Sequence, residues 1–447
     1  MNGIAEASFT TPDMTAVFAP EAHVRQMLRF EAALARAEAQ AGIIPSEAAE
    51  RIVECCRLER FDVKALLSEA ANAGTLAIPL VGNLMEQVGE QYGRYVHWGA
   101  TSQDATDTAL VLQMRDGLDL LIADLLRLCA TCATLAERHR HTVMAGRTLL
   151  QQAVPITFGL KAARWLGLTE RQARELRARR RGYLALQFGG AAGTLAVLGT
   201  AGVHVARQLG QELQLTTPEI PWHAERDRMA TVAASLGITA GAMAKIAGDV
   251  VLLAQTEVGE VLEGAAPGKG GSSAMPNKRN PTDAVASVTA SRLAVGIVPV
   301  VLSAMVQEHE RAAGSWQAEV VAMPDLFRYT AGAVSRLRDA LSALEINEER
   351  MRDNLNLSGG ALMAESLMVA LAPHMGRPAA QRIVKEVTES AIAQQRTLHT
   401  EALADPRIGA VLGEAKLKEA LEAARYLGST DIFIDRALAQ YAVLLAE

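Results

Sequence analysis

Along most of the chain, apolar residues recur every three or four positions rather than every second one, which is the spacing of helices with a buried face. Within 20–42, Met27, Phe30 and Leu34 fall at i, i+3 and i+7, and Pro20 and Gly42 supply a start and a stop. Good helix formers dominate, while the β-branched and aromatic clusters of strands are scarce. Long stretches with few breakers predict helices over roughly 104–143, 155–186, 231–263 and 281–303, the last kinked at Pro299. A short extended piece is expected around 94–98, but no strand–helix alternation announces a parallel sheet. Some stretches, 238–253 among them, are apolar on more than one face and must be buried on most sides. A single four-helix bundle would leave such faces wet, so several copies of the chain are expected to associate. The fold class predicted is all-α, with breaks near 99–103 and 354–360. They give an N-terminal helical domain (1–107), a central long-helix bundle (108–346) and a small C-terminal helical domain (347–447).

Composition narrows the class. Of 447 residues half are hydrophobic and 21% charged, which excludes a disordered or collagen-like chain. The net charge of −6 argues against a general affinity for nucleic acid. The start, MNGIAEASFT, lacks a basic region followed by an apolar one, so no signal peptide is expected. A mostly apolar run without a charge, 293–306, is shorter than a bilayer span and suits a buried core helix. A cytoplasmic globular protein, with no membrane or nucleic-acid partner, is the expectation. Cys129 and Cys132 form a C-x-x-C, but it lies in an Ala/Leu helix and has no second chelating pair. No metal and no organic cofactor is expected.

Candidate chemistry concentrates in 267–283, PGKGGSSAMPNKRNPTD. Glycines open this loop, and its end reads as a helix start, with Asn280 as N-cap, Pro281 in the first turn and Asp283 at the positive end. A loop that delivers two serines, Lys278, Arg279 and Asn280 to a helix N-terminus is an anion-binding design. Composition alone leaves an ordinary polar loop as an equal reading.

GSSAMPNKRNP closely resembles the signature of the fumarase/aspartase superfamily, homotetrameric helical enzymes that eliminate a group β to a carboxylate. Two more segments match: HWGATSQDATDT at 97–108 resembles the family's first active-site segment, and GRTLLQQAVPITFG at 146–159 its second. Position by position, the resemblance implies that Ser272 is the catalytic base of a mobile loop, and that Lys278 and Asn280 hold the substrate carboxylate. It implies the same binding role for Thr101, Ser102, Thr148 and Gln152, in sites shared between subunits. Taking a proton from carbon α to a carboxylate puts a second negative charge on that group, and preorganised donors lower such a barrier most. His97, beside the GATS match, is read as a site residue that titrates near neutrality.

The sequence departs from the family at two places. Many members read GRTH in the second segment and pair that histidine with a glutamate after the signature; here the positions are Leu149 and Val285. Losing both together is physically sensible, since a buried carboxylate without its partner is costly. The consequence falls on the leaving group. An expelled hydroxide has a conjugate acid near pKa ~16 and an alkylamine about 10, whereas a carboxylate sits near about 4 and needs no proton donor at pH 7. The family's ammonia-lyases also lack that histidine, so lactone formation is favoured without being singled out. HWGATSQDATDTA, EHERAAGSWQAE (308–319) and PWHAERDR (221–228) are similar to the superfamily's cycloisomerase branch. That resemblance implies ring closure of a carboxymuconate, with Ser272 donating the proton and Arg147, Arg279, Arg311 and Lys278 supplying cations for three carboxylates. The competitors are a lyase releasing fumarate, such as adenylosuccinate lyase, and a helical assembly without activity.

Other polar groups read as structure. His139 and His141, among Glu137, Arg138 and Arg140, read as solvent face, and Arg177, Arg179, Arg180 and Arg181 as a hydrated helix end. Trp222 and Trp316 are either packing residues or pocket walls.

Overall fold

The computed structural model describes residues 3, 8–264, 270, 271 and 275–447. Ser272 lies outside the described residues. Helix dominates, as the periodicity predicts. The elements that position the site are α1 (Pro20–Gln40), α2 (Ser102–Arg138), β1 (Val143–Thr148), β2 (Gln151–Thr157), α3 (Phe158–Gly182), α4 (Asp227–Leu253), β3 (Val261–Glu263), α5 (Thr282–Ser303), α6 (Ser315–Ser342), β4 (Leu344–Ile346) and α7 (Glu348–Leu355). On α1 the predicted face is the buried one: Met27, Phe30 and Leu34 are all in the core.

Differences from the expected boundaries have local causes. Residues 94–98 form turns rather than an extended piece, because the Tyr95 and Val96 N–H groups bond back to the carbonyls of Tyr92 and Gly93. The apolar run AVPIT before α3 is strand, not helix: Pro155 pairs with Ala145 and Ile156 with Met144. Pro can sit there because it owes no N–H at that ladder position. The true helix start is marked by Thr157, whose hydroxyl accepts the Leu160 N–H at 3.0 Å. α4 stops at Leu253, and the chain turns through Gly259, at φ +59°, into β3.

The chain packs as two compact units, one of residues 1–125, 172–245 and 286–336, the other of 126–171, 246–285 and 337–447. In the first, Phe18 packs on Phe327 with ring centroids 5.1 Å apart, and Phe30 faces Phe188. In the second, Phe158 lies edge-on to Trp165, whose indole donates to Asp249 at 2.8 Å. His139 belongs to that core rather than to the solvent face. Its ring is buried edge-on against Phe158, 3.2 Å from the Glu348 carboxylate, and burial pulls its pKa below the ordinary histidine value. His141 is exposed, as expected. Cys129 and Cys132 are both fully buried. The C-terminal helices Ala364–Met375, Arg377–Ala393, Leu398–Ala404 and Glu414–Ala420 enclose their own apolar cluster, centred on Leu367, Leu371, Val384, Leu398 and Leu417.

α5 overturns the reading of 293–306 as a buried core helix. Its most apolar window is only 28% buried in the single chain, and Val285, Leu293, Val295, Val300 and Leu302 stand exposed. α4 and α5 are both long and apolar enough to cross a membrane by length and composition, although the charge-free run was too short. The few charges between neutral Ala, Ser and Thr positions account for the difference.

Candidate active site

In the first unit, the segment 97–108 turns sharply into α2. His97 and Gly99 both have left-handed backbone, at φ +59° and +74°. Gly99 is required sterically as well, since a Cβ there would lie 2.8 Å from the Leu198 side chain. The turn is locked from beneath by two buried aspartates one helical turn apart on α2. Asp104 accepts the N–H groups of Thr101, Gly189 and Gly190 at 2.9–3.0 Å and lies 2.8 Å from His223 Nε2. Asp107 takes both Nη atoms of Arg226, the Gln103 amide at 3.0 Å and the Trp316 indole at 2.8 Å.

Arg226 in turn donates to Glu319 and lies over the Trp222 ring, 4.6 Å from its centroid. All of these side chains are buried, and burial pushes the Glu319 carboxyl up even though Arg226 opposes it. The segments 221–228 and 308–319 therefore meet the first segment at one buried ion cluster. Trp222 and Trp316 resolve as packing residues whose indoles donate to Leu186 O and Asp107. Above this base Thr101 and Ser102 are half-buried. Arg311 reaches Thr101 Oγ1 at 3.0 Å and Ala191 O at 2.9 Å. His97 turns its Nδ1 edge onto α1, 2.6 Å from Glu31 Oε1.

In the second unit, the segment 146–159 is a β-hairpin. Its register runs Val143↔Thr157 to Thr148↔Gln151, with a bulge between Ala145 and Arg147. Gly146 sits in that bulge, where a Cβ would come within 2.6 Å of Val154 O. Arg147 makes a two-pronged ion pair with the fully buried Glu260, at 2.7 and 2.9 Å. Asn354 of α7 donates to the same carboxylate at 2.8 Å, and Gln152 donates to Asn354 O at 2.6 Å. The Arg147 charge is thus met by a carboxylate of its own chain. Beside it opens a cavity of about 500 Å³ lined by Arg147, Leu150, Gln152, Glu257, Leu357 and Ser358. Thr148 is exposed at the end of β1. Leu149 and Leu150 form the two-residue tip, both left-handed (φ +50° and +62°) and 97% and 75% exposed.

The third segment leads into α5 in the same unit. The expected cap, Asn280, does not close this helix. Glu263, buried at the end of β3, accepts the N–H groups of Asp283 and Ala284 at 3.1 and 2.7 Å. Asn280 is spared, bonding Gly270 O through its backbone and Gly271 O through its amide at 3.5 Å. Lys278 is exposed. Arg279 is pinned to the β3–β4 ribbon by Glu263 O at 2.7 Å and Glu345 at 2.8 Å, so its charge too is met within the chain. The hydrogen bond that Arg279 donates to Glu345 raises its pKa. Val285, the second aliphatic departure, is half exposed on the first turn of α5. A larger cavity of about 870 Å³, between helices Ala364–Met375 and Arg377–Ala393, contains none of the three segments.

Glu31, Glu260, Glu263 and Arg226 carry the segments' geometry, yet no spacing in the sequence singles them out. Asp104 and Asp107 had a signal, an i, i+3 acidic pair inside the first matching segment.

Residues 6–296 match the family described as "Lyase", and 360–437 the one described as "Adenylosuccinate lyase C-terminus". The chain is 45% identical to 3-carboxy-cis,cis-muconate cycloisomerase of Pseudomonas aeruginosa, over 99% of this chain and 97% of that one. It is 44% identical to the enzyme of the same name from Bradyrhizobium diazoefficiens, over 93% of each. The solved 3-carboxy-cis,cis-muconate lactonizing enzyme of Pseudomonas putida superposes with a TM-score of 0.94 at 41% identity, covering 99% of this chain and 100% of that one.

Proposed function

The chain belongs to the fumarase/aspartase superfamily, and from that premise we propose that it catalyses ring closure of 3-carboxy-cis,cis-muconate to 4-carboxymuconolactone, an intramolecular lyase reaction of protocatechuate breakdown. The observation that carries this reading is likeness over nearly the whole chain to enzymes of that activity. The aliphatic Leu149 and Val285 support it, because the attacking group is itself a carboxylate and needs no partner to manage its proton.

In the step envisaged, a substrate carboxylate oxygen forms the new C–O bond. The alkene electrons move to the carbon α to another carboxylate, which becomes doubly negative, and that carbon then takes a proton from the Ser272 hydroxyl. Lys278 and the Asn280 amide stabilise the developing charge, while Thr101, Ser102, Thr148 and Gln152 orient the remaining carboxylates. Arg311, with its link to Thr101, is the arginine best placed to serve the first segment. Arg147 and Arg279 act by fixing the hairpin and the signature loop, since each is paired with a glutamate. The active form is a cytoplasmic homotetramer in which segments from different subunits complete each site. The exposed faces of α4 and α5 are the natural subunit contacts.

The test is spectrophotometric. Loss of carboxymuconate absorbance without fumarate supports the reading, and fumarate appearing from adenylosuccinate overturns it. Ser272→Ala should cut kcat by orders of magnitude with the circular dichroism spectrum unchanged; near-normal turnover removes serine from the mechanism.

A further inference from the structure

α1 carries two acidic residues into the interior of the first unit: Glu31 is 2% exposed and Glu38 is fully buried. Neither is explained by the ring-closure chemistry. Glu31 Oε1 holds His97 Nδ1 at 2.6 Å, while its Oε2 and both oxygens of Glu38 have no hydrogen-bond partner among the described residues. Buried carboxylates without partners are costly, so one expects a compensating use. His97 itself is held in left-handed backbone, an arrangement that is costly unless its surroundings enforce it.

We propose that Glu31 is a positioning residue that holds the His97 ring as a fixed imidazolium beside Thr101 and Ser102, where it receives a substrate carboxylate, and that Glu38 stays protonated so that Glu31 keeps the charge. The assignment rests on the polycarboxylate reading of the site. The surrounding groups favour it. Burial opposes the charge on His97, but the Glu31 carboxylate, its hydrogen bond and the Asp104 charge together raise the His97 pKa above the ordinary value. Burial and then the Glu31 charge push Glu38 up to about 9. From the neighbouring helix Ser46–Cys55 and the residue after it, Cys55 and Cys56 face this cluster, and burial keeps the Cys56 thiol neutral. Arg36 is engaged by Glu212 from the helix Gly202–Leu213, and Arg60 by Glu54. His97 therefore answers to two carboxylates, Glu31 and Asp104, and the second is already bound to three backbone N–H groups and His223.

Glu31→Gln removes the charge and keeps the shape. In the wild type, kcat/KM should stay level through pH 7.5. In the variant its alkaline limb should move down by at least about one pH unit, and KM at pH 8 should rise about tenfold with kcat within threefold. At pH 5.5 both proteins should agree within twofold, because an unassisted histidine is protonated there. Equal loss at both pH values, or an unmoved limb, overturns the proposal. Calorimetric binding of tricarballylate to the wild type gives a readout that needs neither turnover nor a folded variant. A Kd flat between pH 6 and 7.5 supports a fixed cation, and a break near the ordinary histidine value of about 6.5 refutes it. Failure of the cycloisomerase reading would instead appear as inert carboxymuconate with tricarballylate binding intact.

Discussion

Glu38 offers a measurement at the scale of one side chain. Its carboxyl is held at about 9 in the folded protein against an ordinary 4.5. The folded state therefore keeps a proton that the unfolded chain releases. The associated stability is complete below pH 4.5 and is lost as pH rises toward 9. Glu38→Gln, neutral at every pH, should be more stable than the wild type by roughly 3 kcal/mol at pH 7 and about equal to it near pH 4.5. Urea unfolding at pH 5 and 8 checks this, and a pH-independent difference between the two proteins would contradict it. The donors proposed for the substrate are legible in the sequence, since Thr101, Ser102, Lys278 and Asn280 stand in motifs. The acids behind them are not. Glu31, Glu260 and Glu263 lie far along the chain from what they hold, and only folding reveals that they are buried.

At the scale of an element, the hairpin β1–β2 is the segment where sequence and structure part most clearly. AVPIT is a short apolar run, which periodicity alone cannot divide between strand and helix. The turn gives no help either, because Leu149-Leu150 lacks the Asn-Gly chemistry that a tip with two left-handed residues favours. An exposed leucine pair in that backbone costs stability, of order 1–3 kcal/mol per residue. The double variant Leu149→Asn, Leu150→Gly should relieve part of this and raise the midpoint of thermal unfolding. If the tip supplies an apolar wall to a shared site, the same variant should lose at least tenfold in kcat/KM. A stabilised variant with full activity would show that the tip has no place at the substrate. The helices were easier to read: α1, α2 and α5 begin within two residues of their expected starts, because Pro, Ser and Thr punctuate them.

For the molecule as a whole, hydrophobic patterning predicts that several copies associate, and α5 leaves much of its apolar surface bare in the single chain. The sequence does not reveal that α5 is exposed in the single chain, because an apolar helix reads the same whether its cover comes from its own chain or from another. Light scattering should give a particle of four times the 47.6 kDa protomer. Val295→Glu with Val300→Glu should split it into smaller species with little activity, since like charges would be buried against an apolar face. A monomer that turns over normally would refute shared sites. The most direct test of the central claim is the product formed from carboxymuconate in D₂O. The account predicts a lactone carrying a single deuterium in its acetate methylene, placed there by Ser272, with no fumarate. Unchanged carboxymuconate, or a product lacking the ring, would contradict it.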